Sequence, residues 1–274
     1  MEGKLMEQYG EYITNIAHLA GGRIRSAYLL PISIEHKNDD VLDEVTKTDR
    51  EVGAWISSEI EKKFPDHIIY SEEEHGDITA VAEHNNLWTI DPIDGTSNFA
   101  RRIPLFTTAI SLVQNGTPVF SVVYNPITRE TFVFAKGEGV WRDAVRTRAS
   151  QKDNPKEAFA IVRPGRNKKI QPWAFKVVEN FTSGAVAKVG NFGASAYDLA
   201  LLSTGSVEIV IYGGMTTADI AGAIGMVREA GGEVFTQSGV PVEITLSPQT
   251  IIAVASPELF EKLKPTLHLD LLPT

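Results

Sequence analysis

The stretch from Leu87 to Phe99, LWTIDPIDGTSNF, constrains this chain more than any other. Its apolar start, Leu87, Trp88 and Ile90, reads as a short buried strand. Asp91 and Asp94 fall where that strand should end, with Pro92 stiffening the link between them. Gly95 allows a tight turn or a close backbone approach, and Thr96, Ser97 and Asn98 all suit a helix N-cap. Hard oxygen ligands thereby stand beside the exposed N–H groups of a helix start. Carboxylates hold Mg²⁺, such N–H groups hold phosphate, and the metal lets the two meet. Asp-Pro and Asp-Gly also mark ordinary turns, so the rest of the chain has to decide.

Residues 5–28 place Tyr9, Ile13, Ile16, Ala17, Ala20 and Ile24 at helical spacing, and Trp55, Ile56 and Ile60 repeat the pattern between Val52 and Phe64. The polar, acidic run 35–50 predicts an exposed or mobile loop. Ile68 to Tyr70 predicts a strand that runs into Ser71, Glu72, Glu73 and Glu74. Ala109, Ser111 and Val113 alternate with Ile110 and Leu112, Asn115-Gly116 supplies a turn, and Val119 to Tyr124 returns, which predicts a hairpin. Thr131 to Ala135 adds a strand. The polar run 146–157 separates an N-terminal half, 1–150, from a C-terminal half, 151–274, within one compact unit. In the second half we expect strand Phe159–Val162, helix 170–181 and helix Ser195–Leu202. Strand Val207–Tyr212, helix Ala218–Ala230 opened by Asp219, strand Ile251–Ala255 and a last helix capped by Ser256-Pro257 follow. Mixed elements around a central antiparallel hairpin predict α+β layers rather than a Rossmann sheet.

The net charge of −9 argues against nucleic acid as a partner, and it suits a phosphorylated substrate only where bound cations invert the local field. The chain has no cysteine, which excludes disulfides, thiolate zinc sites and cysteine nucleophiles. No apolar run reaches membrane-spanning length and the start, MEGKLMEQYGEY, lacks a signal-peptide core, so a soluble, cytoplasmic protein is expected.

Acid comes from four places: Asp49, the Glu72-Glu73 pair, Asp91 with Asp94, and Asp219. Singly, Asp219 reads as a helix cap and Glu72 to Glu74 as a solvated face. Together, at strand ends and helix starts, they are placed to converge on a crevice.

EEE after an apolar strand, DPIDGTSNF after the next, DEVTKTD upstream and DIAG downstream resemble the inositol monophosphatase family of Mg²⁺-dependent, lithium-sensitive phosphatases, in the family's order and over almost the whole chain. The resemblance implies a layered αβαβα sandwich, a homodimer, and two or three Mg²⁺ per site. It implies that Glu72, Asp91 and the carbonyl of Ile93 hold a first ion. Asp91, Asp94 and Asp219 hold a second, and Glu73 lies beside a weaker third near Glu72. It further implies that Gly95 and Thr96 offer N–H groups to phosphate and that Asp49 accepts the Thr96 hydroxyl proton, so that Thr96, with Glu72, prepares the attacking water. Such chemistry needs these residue types, because a phosphate dianion repels hydroxide until its charge is neutralised. None of the six histidines is assigned a role.

Departures from the family pattern bear on substrate. Ala218 stands where Trp commonly precedes the last acid, and Asn38 stands where the mobile loop often has Lys. Tyr212 occupies the position of a Glu that contacts inositol hydroxyls in animal enzymes. Gly193 to Ala196 resemble the turn that lines the leaving-group pocket, with Ser195 facing a hydroxyl or simply capping a helix. Arg163 and Arg166 flank Pro164-Gly165 as surface residues or as contacts to a second phosphate. The expected function is a Mg²⁺-dependent phosphomonoesterase of small polyol or sugar phosphates, with inositol 1-phosphate as the representative substrate. Fructose-1,6-bisphosphatase, histidinol-phosphatase and 3′-phosphoadenosine-5′-phosphate phosphatase activities are the enzymatic alternatives. A regulatory protein that keeps the fold is the alternative of another class.

Overall fold

The computed structural model describes residues 4–30, 34–36, 44–73, 80–165 and 167–271. Glu74, Arg166 and Asn38 lie outside them. A π-helical turn, Met6–Gly10, leads into α1 (Glu11–Tyr28), whose apolar stripe is buried as its spacing predicts. β1 (Ile34–His36) and β2 (Glu44–Thr46) pair antiparallel. The run expected to be a plain loop therefore has paired arms, an outcome hidden by its polar composition. Next come α2 (Lys47–Lys63), β3 (Ile68–Ser71), β4 (Leu87–Asp94) and the short α3 (Thr96–Ala100). β5 (Thr107–Gln114) and β6 (Thr117–Tyr124) form the expected hairpin, with Asn115 at φ 48° and Gly116 at φ 75°, the positive pair a two-residue turn of this type requires. β7 (Thr131–Ala135), β8 (Gly139–Arg142) and β9 (Val145–Thr147) complete a seven-stranded sheet ordered β3-β4-β5-β6-β7-β8-β9, parallel only at β3–β4.

Then follow β10 (Phe159–Arg163), α4 (Gln171–Asn180), β11 (Lys188–Gly190), α5 (Ser195–Ser203), β12 (Ile209–Thr216), α6 (Ala221–Glu229), β13 (Glu233–Phe235), β14 (Pro248–Val254) and α7 (Pro257–Leu263). The second sheet runs β11-β10-β12-β14-β13. Ser256 caps α7 by accepting from the Leu259 N–H, with Pro257 at the first helical position.

Five layers result. α1 and α2 cover one face of the large sheet, α5 and α6 fill the space between the sheets, and α4 and α7 cover the far face of the small sheet. The αβαβα sandwich is thus observed. Strands buried on both faces explain the near-continuous apolar runs. In β5, Ile110 and Leu112 pack toward α1 and α2, while Ala109 and Val113 join the inner core. Trp88 is fully buried beside Tyr9 and Phe64, and its indole N–H donates to His67 Nδ1 at 2.9 Å, so that histidine serves packing. Each such large side chain contributes roughly 1.5–3 kcal/mol on burial.

One contact sets the inner layer against the large sheet. A Cβ on Gly222 of α6 would lie 2.2 Å from the hydroxyls of both Ser111 and Ser121, which are 3.2 Å apart. Only glycine lets α6 approach so closely. Asp219 sits ahead of that helix rather than opening it: Ile220 occupies the cap position and makes no side-chain cap. Among the described residues, no helix is long and apolar enough to cross a membrane.

Candidate active site

Asp91 and Asp94 do not follow β4; they belong to it. Asp91 pairs with Ala109 of β5 and Asp94 with Thr107, three steps on one strand against two on the other. The extra residue is a β-bulge. Side chains alternate with period two, so a regular strand would send residues 91 and 94 to opposite faces. The bulge returns both carboxylates to the inner face, and Pro92 is tolerated there because a bulge does not need its missing N–H. The strand then ends at Gly95, whose φ of 92° lies in the left-handed region, and α3 starts at Thr96.

A pocket of about 160 Å³ opens over this turn, lined by Glu72, Asp91, Ile93, Asp94, Gly95, Thr96, Ser195 and Asp219 among others. Glu72 arrives from β3, which runs parallel to β4, and its N–H donates to the Ile90 carbonyl at 3.0 Å. Burial pushes the Asp91 carboxyl well above the usual range, and the neighbouring Glu72, Asp94 and Asp219 charges push the same way. Tyr70, buried on β3, hydrogen-bonds Asp219, and its phenol is raised first by burial and then by the Asp219 and Glu72 charges. Glu73 follows Glu72 but does not line the pocket.

Asp94 has a second duty that its motif does not reveal. Its Oδ1 accepts from the Ser195 N–H at 2.6 Å, and its Oδ2 accepts from the Ala196 and Tyr197 N–H groups at 2.9 and 3.2 Å and from Thr107 Oγ1 at 3.1 Å. It caps α5 from across the molecule, satisfying donors that the helix leaves open. Burial raises its carboxyl, and these bonds act against the rise. Ser195 therefore enters the site with its N–H already engaged.

Behind Thr96 stands Asp49, fully buried near the start of α2. Asp49 Oδ1 accepts from Thr96 Oγ1 at 3.1 Å, and Oδ2 accepts from the Thr46 N–H at 2.8 Å and from the Thr46 hydroxyl. Thr46 in turn caps α2, so a capping box fixes the acid in place. Burial pushes Asp49 up to about 6, against the Thr46 and Thr96 hydrogen bonds. The Thr96 hydroxyl also reaches the Ile93 carbonyl, at 3.0 Å.

A second, larger groove of about 620 Å³ shares Arg163, Met215 and Asp219 with the acid pocket. Tyr212 lines it, yet the residue is 1% exposed and its hydroxyl donates to Asp198 Oδ2 at 2.8 Å and reaches the Ser195 carbonyl at 3.3 Å. The expected hydroxyl-facing role thus meets an OH group turned into the core. Asp198, fully buried on α5, was not signalled by any motif. Burial holds its carboxyl well above the usual range, and its Oδ1 has no hydrogen-bond partner among the described residues. Thr107, Tyr70 and Asp198 all escape sequence reading because each acts through a partner on another element of the fold.

Among the described residues no three acids already form a closed metal-ligand cage; the four carboxylates surround the pocket. The donor set still fits a hard divalent cation, being all oxygen and of one sign, with Asp91 and Asp94 buried and Glu72 and Asp219 half-buried. Asp94 keeps one lone pair on Oδ1 after its four donors are counted.

The family model described as "Inositol monophosphatase family" matches residues 6–269. The chain is 30% identical to inositol monophosphatase 1 of Rattus norvegicus over 265 residues, 94% of each chain. It is 31% identical to the Nus factor SuhB of Escherichia coli K12 over 224 residues, covering 81% of this chain and 83% of that one. Among solved structures, the Thermotoga maritima IMPase superposes with a TM-score of 0.83 at 26% identity, covering 95% of this chain and 97% of that one. With the motifs in order along the sequence and the five layers in place around them, this chain belongs to the inositol monophosphatase family.

Proposed function

We propose that this protein is a Mg²⁺-dependent phosphomonoesterase of small polyol or sugar phosphates, with inositol 1-phosphate as the representative substrate. The observation that carries the reading is the bulge of β4, which turns Asp91 and Asp94 onto one face beside Glu72 and Asp219. Four acids around one pocket repel each other and any phosphate unless cations join them. Glu72, Asp91 and the Ile93 carbonyl would hold one ion, and Asp91, Asp94 and Asp219 another, with Glu73 beside a weaker third site. When bound, such ions neutralise the phosphate and acidify a water.

The chain's own groups do the rest. Gly95 and Thr96, at the start of α3, line the pocket, and N–H groups at such a helix start suit phosphate oxygens. Thr96 donates to Asp49, which leaves its oxygen lone pairs free to accept a proton from water. Asp49, with its raised pKa and no outlet to solvent, then takes the Thr96 proton. Homodimerisation, which rests on the family resemblance, and a cytoplasmic location belong to the same proposal.

The test is phosphate release with and without Mg²⁺ from inositol 1-phosphate, fructose 1,6-bisphosphate, histidinol phosphate, 3′-phosphoadenosine 5′-phosphate and an aryl phosphate. Mg²⁺-dependent release supports the reading. No release from any of them, by protein shown to bind Mg²⁺, overturns it in favour of a regulatory role. That second reading is favoured by the similarity to the Nus factor of Escherichia coli.

A further inference from the structure

α5 begins without a side-chain cap from its own N-cap residue, Ala194. Its first N–H groups, on Ser195, Ala196 and Tyr197, are held instead by the Asp94 carboxylate. Three amides fanned around one carboxylate fix a position, but by themselves they would let the helix pivot about it. The chain just ahead of α5 is tied down by Asn98 of α3, whose amide donates to the Leu105 and Phe192 carbonyls at 2.6 Å each. On the other side the helix start is held by the side chain of Tyr197.

Tyr197 is buried against the large sheet. Its ring meets Phe132 of β7 edge-on, with centroids 5.9 Å apart, and its hydroxyl donates to Glu130 Oε2 at 2.8 Å. Glu130 ends the turn between β6 and β7, which closes through the Asn125 N–H on the Glu130 carbonyl at 3.0 Å. Asn125, fully buried, stiffens that turn, because its Oδ1 accepts from the Ile127 and Thr128 N–H groups at 2.9 and 3.1 Å. The Glu130 carboxylate also accepts from Thr128 Oγ1 at 2.7 Å and from the Arg142 guanidinium, which lies 5.5 Å over the Phe132 ring. Burial alone would raise the Glu130 carboxyl, but these bonds and the Arg142 charge hold it below the usual range. Burial and the Glu130 bond raise the Tyr197 phenol, so the proton stays on tyrosine and the bond is charge-assisted.

We propose that Tyr197 and Glu130 are positioning residues for Asp94. Their bond fixes the start of α5, and through its N–H groups the direction of the Oδ1 lone pair that Asp94 keeps for a metal ion. The inference rests on the phosphatase reading, which makes Asp94 a ligand. Neither Tyr197 nor Glu130 lines the acid pocket, so both act only through Asp94.

The test is Mg²⁺ binding by calorimetry beside Mg²⁺-dependent phosphate release. Tyr197→Phe keeps the ring on Phe132 and removes only the hydroxyl. Glu130→Ala removes the acceptor, and Glu130→Gln returns an oxygen to the phenol without the charge. Loss of a group directly behind a metal ligand weakens metal affinity by about 10- to 100-fold, and these residues stand one step further back, so Tyr197→Phe and Glu130→Ala should each raise the Mg²⁺ dissociation constant by roughly 3- to 10-fold. The double variant should lose no more than the worse single, because both break one link. Glu130→Gln should fall between Glu130→Ala and the parent. The Mg²⁺ level for half-maximal turnover should move by the same factor, with KM for the phosphate ester unchanged at saturating Mg²⁺. Tyr12→Phe, which removes a 2.9 Å bond from α1 to the Glu59 carbonyl, should keep the parental Mg²⁺ affinity. Parental affinity in Tyr197→Phe, additive losses in the double variant, an equal loss in Tyr12→Phe, or a change in KM in place of metal affinity overturns the proposal. A parent protein that binds Mg²⁺ yet releases no phosphate sinks the phosphatase reading alone, since the metal affinities still judge Tyr197 and Glu130.

Discussion

Gly222→Ala is the sharpest single test of how this fold delivers its last acid. The added Cβ would stand 2.2 Å from Ser111 Oγ, 2.2 Å from Ser121 Oγ and 2.3 Å from Ser121 Cβ. Ordinary contact needs about 3.4 Å or more, so α6 has to retreat from the sheet by roughly 1 Å, in a core packed too densely to absorb it. Overpacking of this kind costs about 1–3 kcal/mol. At about 2–4 °C per kcal/mol for a chain of this size, Tm should fall by roughly 2–12 °C. Asp219 is tied to the start of α6, and a displacement of about 1 Å at a catalytic site can cost on the order of 100-fold in rate. The assay is a thermal melt and Mg²⁺-dependent phosphate release on the same preparation. Ser121→Gly in the same chain removes two of the three clashing atoms and should recover much of both losses. Gly22→Ala, on the exposed face of α1 with no atom within 4 Å of the new Cβ, should instead stabilise by about 0.5–1 kcal/mol. A Gly222→Ala protein that melts and turns over like its parent would refute the close approach of α6.

Asp91→Asn should reduce turnover by orders of magnitude while raising the metal-free Tm, since it removes a buried charge facing Glu72, Asp94 and Asp219; near-parental activity would undo the site assignment. Asp49 has a folded pKa of about 6 against an ordinary 3.8, so the folded state binds its proton more tightly and loses stability as pH rises from about 4 to about 6. The stability of the parent minus that of Asp49→Asn, measured in chelator, should therefore fall by up to about 3 kcal/mol between pH 4 and 7, and a flat difference would show that Asp49 is not held in this way. Tyr212→Phe leaves buried Asp198 without the hydroxyl that bonds it and should cost about 1–3 kcal/mol, read as a lower Tm; an unchanged Tm would mean the hydroxyl is not committed to the core.

What could be read from the chain alone is what neighbouring residues decide among themselves. Helical spacing located α1 and α2, Asn115-Gly116 set the β5–β6 turn through its own backbone preferences, and Ser256-Pro257 announced α7. Residue types and motif order were likewise enough to single out Glu72, Asp91, Asp94, Thr96 and Asp219, which the structure brings to one pocket. Local pattern was less informative where strands are short. β8, β9, β11 and β13 span three or four residues each and exist because a longer neighbour offers them an edge.

Only the tertiary structure decided how the acids face. The bulge that turns Asp91 and Asp94 the same way depends on the register of β4 against β5, and register is a relation between strands, not a property of either. The engagement of Asp94 by the start of α5 spans about a hundred residues of chain, as do few contacts a local pattern can foretell. Tyr212 turns inward because Asp198 lies across from it, whereas Arg163 at the end of β10 has no hydrogen-bond or ion-pair partner among the described residues. A side chain's type states what it can bond, but the free energy of burial makes the choice. That choice depends on which groups the folded chain places within a few ångströms.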